Sequence, residues 1–125
     1  MLKGHWDQNF SFFVASNPLI ASSSDQSTAD NPEVDSLRKA ITSVNRSRPR
    51  FFVVMGNFTK ASCLLSDQNE FDTQTATFRK VISRVSETIP IIFVPGSHDV
   101  GSVPSPATIQ CYRRFTQLVF KLKRN

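Results

Sequence analysis

Side chains that can carry out chemistry occur in three short segments, each placed directly after an apolar run. These segments are Asn17-Pro18-Leu19, Gly56-Asn57 and Gly96-Ser97-His98-Asp99. The imidazole of His98 can accept or donate a proton near neutral pH, and the carboxylate of Asp99 can accept hydrogen bonds. The asparagine and serine side chains offer neutral oxygen atoms. A functional site at these segments requires a fold that brings them together.

The apolar runs before the three segments predict three β-strands. The run from Phe10 to Ala15 is short and aromatic and ends ahead of Pro18. The runs Phe51 to Met55 and Ile91 to Val94 are continuously apolar, which is typical of strands buried on both faces of a parallel sheet.

Three helices are predicted between and after these strands. Asn31-Pro32 provides a cap and a favourable first residue for a helix of about 14 residues that ends before Pro49. Asp67 with Glu70 resembles a capping box and starts a longer helix. Ser105-Pro106 starts the third. The apolar faces consist of Val34, Leu37, Ile41 and Val44 in the first helix, Phe71, Phe78, Ile82, Val85 and Ile89 in the second, and Ile109, Tyr112 and Phe115 in the third.

The alternation of strands and helices predicts an α/β fold of order βαβαβα. Crossovers long enough to hold a helix imply right-handed βαβ units and a parallel sheet with helices on both faces. In open sheets of this kind, functional sites lie just beyond the carboxyl ends of the strands. All three polar segments fall at those ends.

The net charge of +5 comes entirely from the end of the chain. Residues 1–110 contain ten Lys and Arg and ten Asp and Glu, so their formal charges cancel. We therefore interpret residues 111–125 as a divergent basic tail and expect no nucleic-acid partner. The excess positive charges are Arg113, Arg114, Lys121, Lys123 and Arg124.

The alternating apolar residues of that end leave three interpretations open. Leu118, Phe120 and Leu122 fit an edge strand, a contact with a membrane surface, or a fragment of a lost sheet, of which the last is favoured. A half-sheet left uncovered would associate with copies of itself, so we expect self-association.

Cysteine content and hydropathy favour a cytoplasmic protein. Cys63 and Cys111 predict two separate reduced thiols, since a disulfide framework needs more cysteines and a secretory start. No apolar run exceeds the five residues of Phe51 to Met55, whereas a membrane-spanning helix needs about 20. We therefore expect no membrane partner. Residues 21–31 lack large apolar side chains and predict a mobile, Ser-rich loop.

The polar segments carry a resemblance to a known family. Gly56-Asn57 and Gly96-Ser97-His98-Asp99 resemble the GD and GNHD motifs of the calcineurin-like metallophosphoesterases, and Asn17-Pro18-Leu19 lies where that family has an aspartate followed two residues later by His or Gln. The stretches around them are similar to the calcineurin-like phosphoesterase domain-containing serine/threonine phosphatases. The resemblance covers about residues 6–110, which implies a partial phosphoesterase domain, the N-terminal part of a truncated two-sheet sandwich.

The resemblance implies two divalent metal ions, drawn from Mn, Mg, Fe and Zn, held at the strand ends. Asn17 and Asn57 stand at aspartate positions, Ser97 at the asparagine position and Leu19 at the His or Gln position. Two dications about 4 Å apart repel one another, so their ligands must include anionic groups. Because none of these four positions holds a carboxylate, we expect the chain to bind metal weakly or not at all.

The resemblance also implies roles for the two matching residues. His98 corresponds to the histidine that assists the leaving group, and Asp99 to the residue that holds its ring. Two functions therefore stay open. The first is a metal-dependent phosphoesterase of the serine/threonine phosphatase type, acting on a phosphoprotein or another phosphoester, with impaired catalysis. The second is a non-catalytic fragment or pseudoenzyme that binds other proteins.

Overall fold

The structure is a computed structural model that describes residues 9–21 and 31–121. In chain order its elements are β1 (Phe13–Ser16), α1 (Pro32–Ser47), β2 (Phe52–Met55), α2 (Gln68–Ile82), β3 (Ile91–Val94), α3 (Ser97–Val100) and α4 (Pro106–Lys121). The predicted α/β class and the order of strands and long helices are confirmed. The short helix α3 has no counterpart in the sequence prediction. Most of the loop predicted at 21–31 lies outside the described residues.

The three strands form one parallel sheet in the order β1-β2-β3. Their last residues, Ser16, Met55 and Val94, lie side by side in the same row of the ladder. The segments that follow the strands therefore leave the sheet at one edge, as the sequence predicts, and this register is what assembles the candidate site.

The two faces of the sheet differ in exposure. Phe52 and Val54 are completely buried beneath the helices, in one core with residues of α1, α2 and α4. On the opposite face Val14 is 52% exposed and Ile92 is 47% exposed, although both are apolar. The prediction that helices cover both faces is therefore wrong for the described residues, which cover one face only.

Helix α1 has the start, the end and the buried face that its sequence predicts. The side chain of Asn31 accepts a hydrogen bond from Val34 N, and Pro32 occupies the first turn. The helix ends at Arg48, which adopts a left-handed conformation, and Pro49 follows. The side chains that it buries are Val34, Leu37, Ile41 and Val44.

Helix α2 is shorter than predicted, because it ends at Ile82 rather than near Ile89. Val85 and Ile89 are nevertheless buried, so the apolar pattern continues after the helix has stopped. Asn45 of α1 explains the early end. Its amide donates to the Arg84 carbonyl at 2.9 Å, and its Oδ1 accepts from Ser86 N at 2.8 Å. Both backbone groups are thereby bonded to another helix.

Helix α4 changes the interpretation of the basic end. It starts where predicted, with reciprocal hydrogen bonds between Ser105 and Thr108, and continues to Lys121 across the boundary predicted at residue 110. Phe115 and Val119 are buried in the core. Interpreting this end as a fragment of a lost sheet is therefore wrong up to Lys121, because residues four apart form the buried helical face.

The cysteines also require a correction, because Cys63 and Cys111 form a disulfide rather than two separate thiols. The bond joins the loop after β2 to α4, and its Cα atoms lie 6.1 Å apart although 48 residues separate them in sequence. Two isolated cysteines in a sequence carry no information about such proximity. Within the described part of the chain, no helix has the length and apolar character to cross a membrane.

Candidate functional site

The turn after β1 holds Asn17 in place. Asn17 and Leu19 both adopt left-handed backbone conformations, with φ of 59° and 45°. Asparagine tolerates this conformation well, whereas for leucine it costs on the order of 1–3 kcal/mol. The turn is tied to the neighbouring segment, since Asn17 N donates to Met55 O and Leu19 N donates to Asn57 O, each at 3.0 Å.

Asn57 connects all three polar segments. It follows Gly56 through a cis peptide bond. Its backbone N–H and its side-chain Nδ2 both donate to Asn17 Oδ1, each at 3.2 Å. Its own Oδ1 accepts from His98 N at 2.7 Å. The structure thus brings together Asn17, Asn57 and His98 at the strand ends, as the sequence predicts.

Gly56 and Gly96 make this approach possible because they have no side chain. A Cβ atom at Gly56 would overlap the Asp99 carboxylate and lie 2.6 Å from Gly96 N. A Cβ atom at Gly96 would overlap Asn57 Oδ1 and lie 2.9 Å from the carbonyl carbon of Gly56. Close packing of two strand ends therefore explains both glycines, and neither lies in the left-handed region.

Asp99 bonds to the backbone of both strand ends. Its Oδ2 accepts from Gly96 N at 2.7 Å, and its Oδ1 accepts from Phe58 N at 3.1 Å. Burial raises the pKa of the Asp99 carboxyl, opposed by these two hydrogen bonds and by the charge of His98. Its position therefore suits a structural bridge between the β2 and β3 ends.

The ring of His98 is oriented by a backbone carbonyl. Its Nε2 lies 2.9 Å from Lys60 O. Because a carbonyl oxygen can only accept, Nε2 carries the proton, and in the neutral ring Nδ1 is the acceptor. The hydrogen bonds of the Asp99 carboxylate go to the backbone amides of Gly96 and Phe58, and the ring of His98 is positioned by Lys60 O.

Ser97 lines a cavity that the structure forms beside α3. It is the exposed first residue of α3 and lines a cavity of about 410 Å³ with His98, Asp99 and the disulfide cysteines. Asn17 lines a different cavity of about 320 Å³ beside α1. Asn17 and Ser97 therefore line separate cavities.

One family model matches almost the whole of the described chain. It is that of the B-subunits of DNA polymerases alpha and epsilon, and it matches residues 12–123. This chain belongs to that family. This family has a fold related to that of the metallophosphoesterases but is a different family. The resemblance drawn from the motifs is therefore supported for the fold. The relatives described next support it for the phosphatases.

The relatives that match this polymerase-family chain share one name, Serine/threonine-protein phosphatase CPPED1. The Bos taurus protein is 29% identical over 119 residues, which is 87% of this chain and 37% of the relative. The Homo sapiens protein is 25% identical over 122 residues, covering 90% and 38%. The Danio rerio protein is 24% identical over 115 residues, covering 84% and 36%. These names support a phosphoesterase-like resemblance.

The matches cover most of this chain and a smaller share of each relative. The chain spans less than two fifths of the length of these curated relatives. No solved structure matches it.

The residues present at the strand ends do not fit a pair of divalent cations. At the three matched ligand positions, Asn17, Asn57 and Ser97, the groups available to a metal are two amides and one hydroxyl, and both amide oxygens already accept hydrogen bonds from protein groups. Such donors supply no negative charge to offset two dications. Across residues 9–21 and 31–121, no three His, Cys, Asp or Glu side chains are grouped so that they could hold a metal ion.

Sequence reasoning missed one polar residue that shapes the site. Gln74 of α2 is 1% exposed, and its Oε1 accepts from Ala61 N at 2.7 Å. This bond fixes the loop that carries Lys60, whose carbonyl orients His98. A signal was available, because Gln74 lies three residues after Phe71 and four before Phe78 on the apolar stripe of the helix.

Proposed function

We propose that this chain is a phosphoesterase-like protein of the serine/threonine phosphatase type in which metal-dependent hydrolysis is lost or strongly impaired. The observation that carries the proposal is the state of Asn57. It stands where the resemblance places a bridging aspartate, and its amide is bonded to Asn17 at one end and to His98 N at the other. A neutral amide engaged at both ends cannot bridge two cations.

Loss of the metal pair removes the source of the nucleophile. In two-metal sites the ions generate the hydroxide that attacks phosphorus and stabilise the charge of the transition state. His98 is the proposed general acid, and Asp99 is proposed to support its loop. A general acid typically contributes about 10²–10⁴-fold to a rate. It does not generate the hydroxide that attacks phosphorus.

Hydrolysis of p-nitrophenyl phosphate by the complete chain tests this proposal. We expect no turnover that depends on Mn²⁺ or Mg²⁺, with a full-length relative as the positive control for the assay. Metal-dependent turnover that disappears in His98→Ala would overturn the proposal. Turnover that persists in His98→Ala identifies a contaminating phosphatase, and repurification until it disappears keeps the result decisive.

A second candidate function is binding to other proteins without catalysis. The exposed apolar sheet face, which includes Val14, Ile92 and Val94, favours it, because exposed apolar patches often mark interaction sites. The matched family is named for a subunit of a DNA polymerase, which is a protein that works in an assembly. A phosphoprotein or the intact relative is the proposed partner.

Binding to a purified full-length CPPED1 phosphatase tests the second candidate. We expect a complex in calorimetry that forms equally with Mn²⁺ and with a chelator and is weakened at least about tenfold by Ile92→Lys, because a charge would enter the apolar contact. Leu65→Lys is the matched control, because Leu65 is 91% exposed and lies in a loop rather than in a strand. Absence of binding, or equal binding by both variants, would contradict a role for this face.

A further inference from the structure

We infer that Asn17 and Asn57 form an amide clamp that joins the strand ends without a metal ion. The amide clamp is the hydrogen-bonded set of the two asparagine side chains and His98 N. The proposed function concerns what is lost with asparagine at the two aspartate positions, namely metal binding. The clamp concerns what is gained there, namely hydrogen bonds between the strand ends. The inference rests on that proposal in one respect, namely that no metal pair occupies these positions.

The orientation of both amides is fixed by backbone donors. Asn17 Oδ1 faces the backbone N–H of Asn57, and Asn57 Oδ1 faces the backbone N–H of His98. Turning either amide over would place an NH₂ group against an N–H, donor against donor. With both orientations fixed, Asn57 Nδ2 must be the donor and Asn17 Oδ1 the acceptor in the remaining contact.

The two positions therefore have different chemical requirements. Position 17 must accept, because it receives two hydrogen bonds from Asn57. Position 57 must accept at one end and donate at the other. Aspartate satisfies the first requirement, with bonds strengthened by its charge, but it has no donor for the second. Aspartate at both positions would place two carboxylates about as close as the 3.2 Å contact between the amides.

The clamp also connects elements that are distant in sequence. Asn17 follows β1, Asn57 follows β2 and His98 lies in α3, with separations of 40 and 41 residues across the two contacts. A metal pair held by strand-end side chains would join the same segments through charge. In this chain neutral hydrogen bonds join them, so stability at this edge of the sheet should not depend on divalent cations.

Thermal denaturation of the complete chain and of the variants Asn17→Asp, Asn57→Asp and their combination tests the clamp. In a chelator, we expect a midpoint within about 2 °C of the parent for Asn17→Asp and a fall of about 4–8 °C for Asn57→Asp, the shift typical of one lost interaction. The midpoint of the combined variant should fall by more than the sum of the two single shifts. Addition of Mn²⁺ should remove the part of the fall that exceeds that sum. Asn69→Asp, an exposed change on α2, is the control that should not respond to Mn²⁺.

The two proposals fail in different ways. A combined shift equal to the sum of the single shifts, in a chain whose parent does not respond to Mn²⁺, would overturn the clamp alone. A parent chain whose midpoint rises with Mn²⁺ would overturn the proposed function and with it the premise of the clamp, because metal would then bind the native residues. If the combined aspartate variant does not fold, Asn17→Ala, Asn57→Ala and their combination replace it. The clamp then requires the double variant to lose less than the sum, since both single changes remove the same contact.

Discussion

At the scale of single residues, two glycines determine how closely the strand ends approach each other. Gly56 packs so tightly against Asp99 and Gly96 that no side chain fits. In the sequence, a glycine after a strand is the common signal of a turn. In the structure, Gly56 is needed because a side chain would collide with the neighbouring strand end. The same holds for Gly96, where the Asn57 side chain occupies the space.

Gly56→Ala should lower the free energy of unfolding by about 1–3 kcal/mol, the usual cost of overpacking. The added methyl group must displace the Asp99 carboxylate and the backbone at Gly96. Urea denaturation measures the change. In an Asp99→Ala background part of the space is already vacant, so the same substitution should cost less. An equal cost in both backgrounds would show that the carboxylate is not the group displaced.

Tyr112 provides a test of burial through pH. Burial raises the pKa of its hydroxyl above the ordinary value of 10.0, and the charge of Asp99 raises it further. The folded state therefore holds the phenolic proton more tightly than the unfolded state does. Stability that this group contributes is complete below pH 10 and is lost as the pH rises towards the folded pKa.

Replacing Tyr112 with Phe should flatten the fall of stability above pH 10, because only the tyrosine ionises. Denaturation midpoints of Tyr112→Phe and the parent, measured in steps across that range, give the difference in slope. Identical slopes would mean that Tyr112 titrates as an exposed tyrosine does. The Tyr112 ring stacks on Phe58 and Phe115, and phenylalanine keeps that ring, so the variant changes the hydroxyl and not the ring contacts.

At the scale of elements, local signals predict the structure well and distant contacts do not. The sequence predicts helix α1 with its start and its buried face, because Asn31, Pro32 and the apolar stripe lie within the helix or next to it. It does not predict the end of α2, because Asn45 terminates the helical pattern from 39 residues away. The prediction for α4 is wrong beyond residue 115, since an alternating and a helical pattern share the residues from Leu118 to Phe120.

The candidate site also has features that the sequence predicts and contacts that it does not. The strand ends predict that Asn17, Asn57 and His98 meet, because parallel strands in register finish at one edge. The partners of His98 and Asp99 are beyond such prediction, since they are the backbone groups of Lys60, Gly96 and Phe58. Nearly every residue has such groups, so their use leaves no signature in the sequence.

Asn45→Ala should lower the free energy of unfolding by about 0.5–1.5 kcal/mol, because it removes hydrogen bonds to two backbone groups that are only partly shielded from water. The two groups are the Arg84 carbonyl and Ser86 N–H. Thr42→Ala is the matched control, since Thr42 is exposed one turn earlier on α1 and bonds only within the helix. Chemical denaturation of both variants should separate them. A control as destabilised as Asn45→Ala would contradict a specific role for these two hydrogen bonds.

At the scale of the whole molecule, the half-covered sheet decides behaviour in solution. One face is buried beneath the helices, and the described residues leave the apolar side chains of the other face exposed. A sheet face of this kind is stable in water only when something apolar covers it. A second copy of the chain offers such an apolar surface, so we expect association that increases with protein concentration.

Light scattering coupled to size exclusion, run over a wide range of protein concentration, measures this association. Val14→Lys and Ile92→Lys place charge on the exposed face and should shift the chain towards monomer. Leu65→Lys changes an exposed leucine outside the sheet and should leave the distribution as it is. A parent chain that is monomeric throughout would contradict self-association. Equal effects of all three substitutions would assign the association to general surface hydrophobicity, because only the first two residues belong to strands.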